Sequence, residues 1–188
     1  MKNVLMILLT LLSCDSSINT TPIAKNLVYD YYILIDFSMA SNSNRLKIYD
    51  IRNDKVVYSC KCAHGMGGGA EATAKSFSNA VGSHKTSLGR YKIGRKRILQ
   101  SFEGWDISMF KIPCYELYGL DKTNSNAYKR GILLHADPTI STTPIPILPI
   151  HSFGCLSVPS SSFRKISRYI DNNKVLIVAY YKNLGDYI

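Results

Sequence analysis

Apolar residues recur along this chain with two different periods. Residues 31–37 (YYILIDF), 45–51 (RLKIYDI) and 55–62 (KVVYSCKC) are dense in β-branched and aromatic side chains, and the turn-forming SNSN and RND segments separate them. That pattern predicts three strands joined as a meander. Further strands are expected at 89–93, 96–99, 115–118, 131–136 and 174–181, the last almost wholly apolar, as in a strand buried on both faces. A helical period appears at about 161–170, where Phe163, Ile166 and Ile170 share one face behind a run of serines able to cap the first turn. Asn172 and Asn173 mark its end. The expected fold is mainly β with one or two short helices. Two long segments break the pattern, the Gly- and Ala-rich 64–85 and the proline-rich 137–152. Connections this long in a compact domain are more often functional than idle.

The N-terminus carries a different signal. Residues 1–14 (MKNVLMILLTLLSC) place one Lys before an apolar run from Val4 to Leu12, too short to cross a bilayer that needs about 20 residues. This reads as an export signal. It ends in Leu-Leu-Ser-Cys, which resembles the bacterial lipobox, in which the Cys is lipidated and becomes the mature N-terminus; Cys14 would then be a lipid anchor. A plain secretory signal with an incidental Cys is the bland alternative. Residues 15–24 have the small, polar composition of a tether, so the folded domain is expected at 25–188. The expected location is the cell envelope, with the chain held on a membrane.

Length and charge narrow the partners. The chain has 188 residues, 46% hydrophobic and 19% charged, enough for one domain with its own core. Lys and Arg number 23 against 13 Asp and Glu, a formal net charge of +10. The excess favours anionic surroundings, and export argues against nucleic acid. Lys85, Arg90, Lys92, Arg95, Lys96 and Arg97 put six cations in thirteen residues, either as a solvated hairpin face or as an attractor for anionic wall or lipid groups. Five cysteines are too few for a disulfide-built scaffold. With Cys14 lipidated and Cys155 free, Cys60, Cys62 and Cys114 allow at most one bridge.

The stretch 131–159 (GILLHADPTISTTPIPILPIHSFGCLSVP) concentrates the chemistry. His135 ends an apolar strand, and Cys155 follows Ser152, Phe153 and Gly154. A thiol is a good nucleophile only as thiolate, and a nearby imidazole is the usual means of making it one. The amides of Gly154 and Cys155 are candidates to face a developing oxyanion. The plainer reading is a buried free Cys and a hydrogen-bonded structural His. A phosphate loop is excluded, because 82–86 (GSHKT) puts too few residues between Gly and Lys.

Upstream His, then Ser-x-Gly-Cys, with nineteen residues between His135 and Cys155, resembles the catalytic motif of the L,D-transpeptidases, and within them the murein L,D-transpeptidase catalytic-domain branch. The resemblance extends through Ala63-His64-Gly65, Phe77-Ser78-Asn79, Gly82-Ser83, Thr86-Ser87-Leu88-Gly89-x-Tyr91, Leu117-x-Gly119-Leu120-Asp121, Asn126-Ala127, Arg130-Gly131 and Val158-Pro159. It implies a β-sandwich acting on peptidoglycan stem peptides without a cofactor or metal. Cys155 would attack the third stem residue's carbonyl, expel D-alanine and form a thioester, with His135 as base. The resemblance further implies that the carbonyl of Ala136 orients the His135 ring. Phe153 stands where many members carry His, and Leu156-Ser157 replaces a commoner Ile-Arg. Binding of the substrate carboxylate is left to Arg130 or Lys85, with Ser152 and His64 also near the expected cleft; the alternative for His64 is a purely structural turn. Two other readings stand beside this one: a non-catalytic peptidoglycan-binding lipoprotein, and a zinc peptidase using His64, His135, His151 and Cys155, whose spacing fits no zinc motif.

Overall fold

The computed structural model describes residues 28–69, 71–102, 105, 106, 108–147 and 152–188. The segments read as export signal and tether, Cys14 included, and His151 lie outside the described residues. Strands β1 (Tyr31–Asp36), β2 (Leu46–Asp50) and β3 (Lys55–Cys60) form the antiparallel meander. β4 (Gly89–Ile98) is one strand where the apolar pattern suggests two, because a bulge between Ile93 and Lys96 interrupts the alternation. Gly94 lies in that bulge, and a Cβ there would come within 2.4 Å of the Tyr118 ring. β5 (Ser101–Phe102) and β6 (Trp105–Asp106) pair as a hairpin too short for periodicity to reveal.

The rest of the chain builds the other half of the sheet: β7 (Pro113–Gly119), β8 (Leu133–Asp137), β9 (Leu156–Pro159), helix α1 (Ser160–Asn172) and β10 (Val175–Tyr180). Eight strands lie in the order β3-β2-β1-β10-β4-β7-β8-β9, with β1–β10 and β8–β9 parallel. β10 is buried along its whole length, as its apolar run predicts. The serines do not cap α1. Pro159 occupies the N-cap position and the serines fall inside the first turn.

The two edge strands of this sheet meet. Ala63, just beyond β3, donates its N–H to the carbonyl of Ser157 on β9 at 2.8 Å, so the sheet curls until its halves enclose a common core. Ile33, Ile35, Ile48, Leu117, Leu134 and Leu156 from the strands pack there with Phe163 and Ile166 of α1. Burying each such side chain is worth about 1.5–3 kcal/mol, so the helix is held by its apolar face rather than by a cap. A second cluster, with Tyr32, Leu34, Leu176, Val178 and Leu184, covers the outer face of β1 and β10. Cys60, Cys62, Cys114 and Cys155 are all free thiols. Cys60 and Cys62 lie in the main core and Cys114 in a separate cluster with Leu99 and Leu133.

Candidate active site

β8 and β9 run parallel with Leu134 opposite Leu156 and His135 opposite Ser157. Side chains alternate across a strand, so Leu134, Ala136, Leu156 and Val158 point into the main core. Leu133, His135 and Ser157 take the opposite face, and Cys155, just ahead of β9, joins them. The Cys155 thiol accepts from the N–H of Leu133 at 3.4 Å and donates to the carbonyl of Gly131 at 3.7 Å. Leu99, Ile112, Cys114 and Leu133 form its apolar wall.

The turn ahead of the thiol is fixed by Ser152, whose hydroxyl donates to the carbonyl of Cys155 at 2.7 Å and accepts the N–H of Gly154 at 3.1 Å. Gly154 has φ +112°, and a Cβ there would lie 2.8 Å from the carbonyl oxygen of Lys85 and 3.0 Å from Ile132 Cδ1. Only glycine suits that backbone and that space. The glycine-rich segment packs onto the same turn: Met66 N–H bonds the Ser152 carbonyl at 2.8 Å, and a Cβ on Gly65 would lie 2.8 Å from Gly154 Cα. Phe153 meets the His84 ring edge-on, with centroids 4.6 Å apart.

His135 is 8% exposed. Its Nδ1 lies 2.8 Å from the carbonyl of Ala136 and its Nε2 2.8 Å from Ser157 Oγ. A carbonyl only accepts, so Nδ1 carries the proton and Nε2 presents its lone pair to the Ser157 hydroxyl. Burial lowers the proton affinity of this ring, partly offset by the Ala136 bond and by Asp137. Burial also pushes the Cys155 thiol up to about 11, against the pull of the Leu133 N–H, Arg130 and Arg97. Both groups are thus neutral at rest, and no hydrogen bond joins them. The arrangement suits proton transfer during attack rather than a stored ion pair. Catalytic hydrogen bonds are often long before substrate arrives.

The remaining sequence candidates separate into distinct places. Arg130 is half-buried, and its guanidinium donates to the carbonyls of Ser78 at 2.8 Å and Lys85 at 2.5 Å and to the hydroxyls of Ser83 and Ser87. It braces the 78–87 loop against the Gly154–Cys155 turn. Lys85 presents its carbonyl to that brace, and its Nζ has no partner among the described residues. His64 is 2% exposed and faces the interior. Its Nδ1 accepts from Arg45 at 3.0 Å and its Nε2 lies 3.4 Å from the Gly69 carbonyl. Burial and the adjacent Arg45 cation push His64 down to about 4. The Gly154 N–H is already bonded to Ser152, whereas that of Cys155 has no acceptor among the described residues.

Four of the six clustered cations are paired: Arg90 with Asp121, Arg95 and Arg97 with Glu116, and Lys96 with Asp171. Glu116 is buried, whereas the Arg90–Asp121 and Lys96–Asp171 pairs lie nearer the surface, where such pairs contribute about 0–1 kcal/mol each. Among the described residues no three His, Cys, Asp or Glu side chains converge as metal ligands. Three further polar residues, to which the sequence pattern assigned no role, matter to the site's surroundings. Arg45 is fully buried and bonds Cys62 and Met39 carbonyls besides His64. Lys61 holds the proline-rich segment through the carbonyls of Thr143 at 2.8 Å and Ile145 at 3.1 Å. Ser157 was recoverable, since a residue two beyond Cys155 on a strand shares its face.

Comparison with known proteins is consistent with this geometry. The profile of the L,D-transpeptidase catalytic domain matches residues 12–180. The helical cell shape determining protein Pgp2 of Campylobacter jejuni superposes with a TM-score of 0.52 at 17% identity, covering 82% of this chain and 50% of Pgp2. Its K307A mutant gives 0.55 at 15% identity, over 82% and 48%. An L,D-transpeptidase from Xylanimonas cellulosilytica gives 0.45 at 14% identity, over 86% and 65%. This chain spans about half the length of the Pgp2 structures. A search of curated proteins returns no match. With nearly its whole length matched by that profile, the chain belongs to the L,D-transpeptidase catalytic-domain family.

Proposed function

We propose that this domain is a cysteine-dependent L,D-transpeptidase or L,D-carboxypeptidase acting on peptidoglycan stem peptides. The observation that carries the reading is the placement of Cys155, just ahead of β9, on the same sheet face as an Nδ1-protonated His135 of the adjacent parallel β8. Sγ attacks the carbonyl on the L-centre side of the third stem residue while its proton passes to His135 Nε2. The tetrahedral oxyanion takes the Cys155 N–H. Collapse breaks the amide bond, His135 returns the proton to the departing D-alanine amine, and a thioester remains on Cys155. An amine acceptor then gives a cross-link, and water gives a trimmed stem. The Lys85 ammonium supplies a cation for a substrate carboxylate, because Arg130 is engaged with its loop.

The proposal includes an envelope location, with Cys14 as lipid anchor. Its basis is the apolar run and the Leu-Leu-Ser-Cys ending of residues 1–14. A second reading, peptidoglycan binding without turnover, is favoured by one observation: the thiol and the imidazole are each bonded to other partners.

The two separate in one experiment. Incubation of the protein with a disaccharide tetrapeptide should release D-alanine or form a dimer, by mass spectrometry. Cys155→Ala should abolish this and a chelator should not. Retention on wall sacculi without product would support the binding reading, and chelator sensitivity a zinc peptidase.

A further inference from the structure

Ser157 is the one partner of the proposed base that the sequence motif does not supply. It stands where the commoner family pattern has Arg, it is fully buried, and its carbonyl ties β9 to the chain leaving β3. Its Oγ lies 2.8 Å from His135 Nε2. Other groups about the ring are poorly placed to help a positive imidazole. Cys114, opposite His135 on β7, is a neutral buried thiol that donates to the Arg97 carbonyl. Asp137, two residues along β8, acts on the ring from a distance and accepts from Thr139. Cys155 bonds Leu133 and Gly131.

A hydroxyl both donates and accepts. We propose that Ser157 is a positioning residue that keeps the buried imidazole basic, donating to Nε2 while the ring is neutral and turning to accept from Nε2–H once the ring is charged. It thereby holds the proton between its arrival from the thiol and its delivery to the leaving amine. Hydrogen bonds to charged groups are the stronger kind, so the net effect of the hydroxyl is to raise the ring's proton affinity. The inference rests on His135 being the base for Cys155, and its test must separate the two.

Ser157→Ala removes only an oxygen, and thermal melting checks that the fold is kept. In the full-length protein, histidine-selective NMR titration should show His135 titrating about one unit lower. Iodoacetamide alkylation at pH 7, followed on the Cys155 peptide by mass spectrometry, should slow about tenfold, since one unit of base strength is tenfold in ion-pair population. An unchanged His135 titration, or alkylation as fast as or faster than the parent, overturns the inference. If His135→Ala also alkylates at the parental rate, the base assignment itself falls, whatever Ser157→Ala does.

Discussion

Gly154→Ala tests whether the turn ahead of Cys155 is held by the contacts described. At φ +112° an L side chain is strained wherever it sits, and here the new methyl would also lie 2.8 Å from Lys85 O, 3.0 Å from Ile132 Cδ1 and 3.1 Å from Arg130 Nη2. The first of these is backbone held by the Arg130 guanidinium, so the turn must move instead. Backbone strain alone costs about 1–3 kcal/mol. At about 2–4 °C per kcal/mol for a domain of this size, the steric clash added, a fall in Tm of about 5–10 °C is expected. A shift of the thiol by about 1 Å is worth about 100-fold in a positioned reaction, so alkylation of Cys155 should slow by that order. Gly82→Ala is the control: its φ is +75°, but nothing lies within 4 Å of the added methyl. It should lower Tm by only a few degrees and leave Cys155 reactivity alone. If Gly154→Ala melts and alkylates like Gly82→Ala, the packing of the 78–87 loop on the Gly154–Cys155 turn does not position the thiol.

Three further outcomes follow from the same structure. His64 is depressed from 6.5 to about 4 in the folded state. The unfolded chain therefore takes up a proton that the folded one refuses as pH falls from about 6.5 to about 4, and stability is lost across that window by up to about 3 kcal/mol. Urea melts should show that slope, flattened in His64→Gln. Arg130→Met leaves the Lys85 carbonyl without its donor, whereas the Ser78 carbonyl keeps the Ser87 hydroxyl and Ser83 Oγ keeps the Lys85 N–H. It should lower Tm by about 5–10 °C, at about 1–3 kcal/mol per buried group left unsatisfied, and Arg130→Lys, lacking the planar fork, should recover little of it. Lys61→Met frees the carbonyls of Thr143 and Ile145, so limited proteolysis should cut within 137–147 several times faster than in the parent, while the sheet resists.

The meander, the buried final strand and the amphipathic helix were legible because burial imposes one period on each. Residues 175–180 are apolar because both faces are covered, and Phe163 with Ile166 because one face is. What periodicity misses is what long-range contacts decide. The bulge at Gly94 merges two apparent strands into β4 because the Tyr118 ring crosses the chain there. The closure of the sheet through Ala63 and Ser157 joins residues far apart in sequence, by a backbone bond that leaves no side-chain signature.

In the site, the motif named Cys155, His135 and Ser152; the first two lie on one face of β8 and β9, and Ser152 is bonded into the turn ahead of Cys155. The motif could not say which way charged side chains turn. Arg130 and His64 have the chemistry of substrate contacts, yet Arg130 finds four oxygen acceptors in the 78–87 loop and His64 finds Arg45 in the interior. Arg45, first residue of the expected strand 45–51, is buried over the Phe37 ring, 4.8 Å from its centroid.

The central claim is that Cys155 carries the substrate's acyl group. Intact-protein mass spectrometry, on samples quenched in acid seconds after mixing with a disaccharide tetrapeptide, measures that directly. The account predicts an adduct equal to the substrate less D-alanine, located on the Cys155 peptide, lost in Cys155→Ala and forming far more slowly in His135→Ala. Turnover without an adduct on that peptide, or an adduct that survives Cys155→Ala, would contradict it.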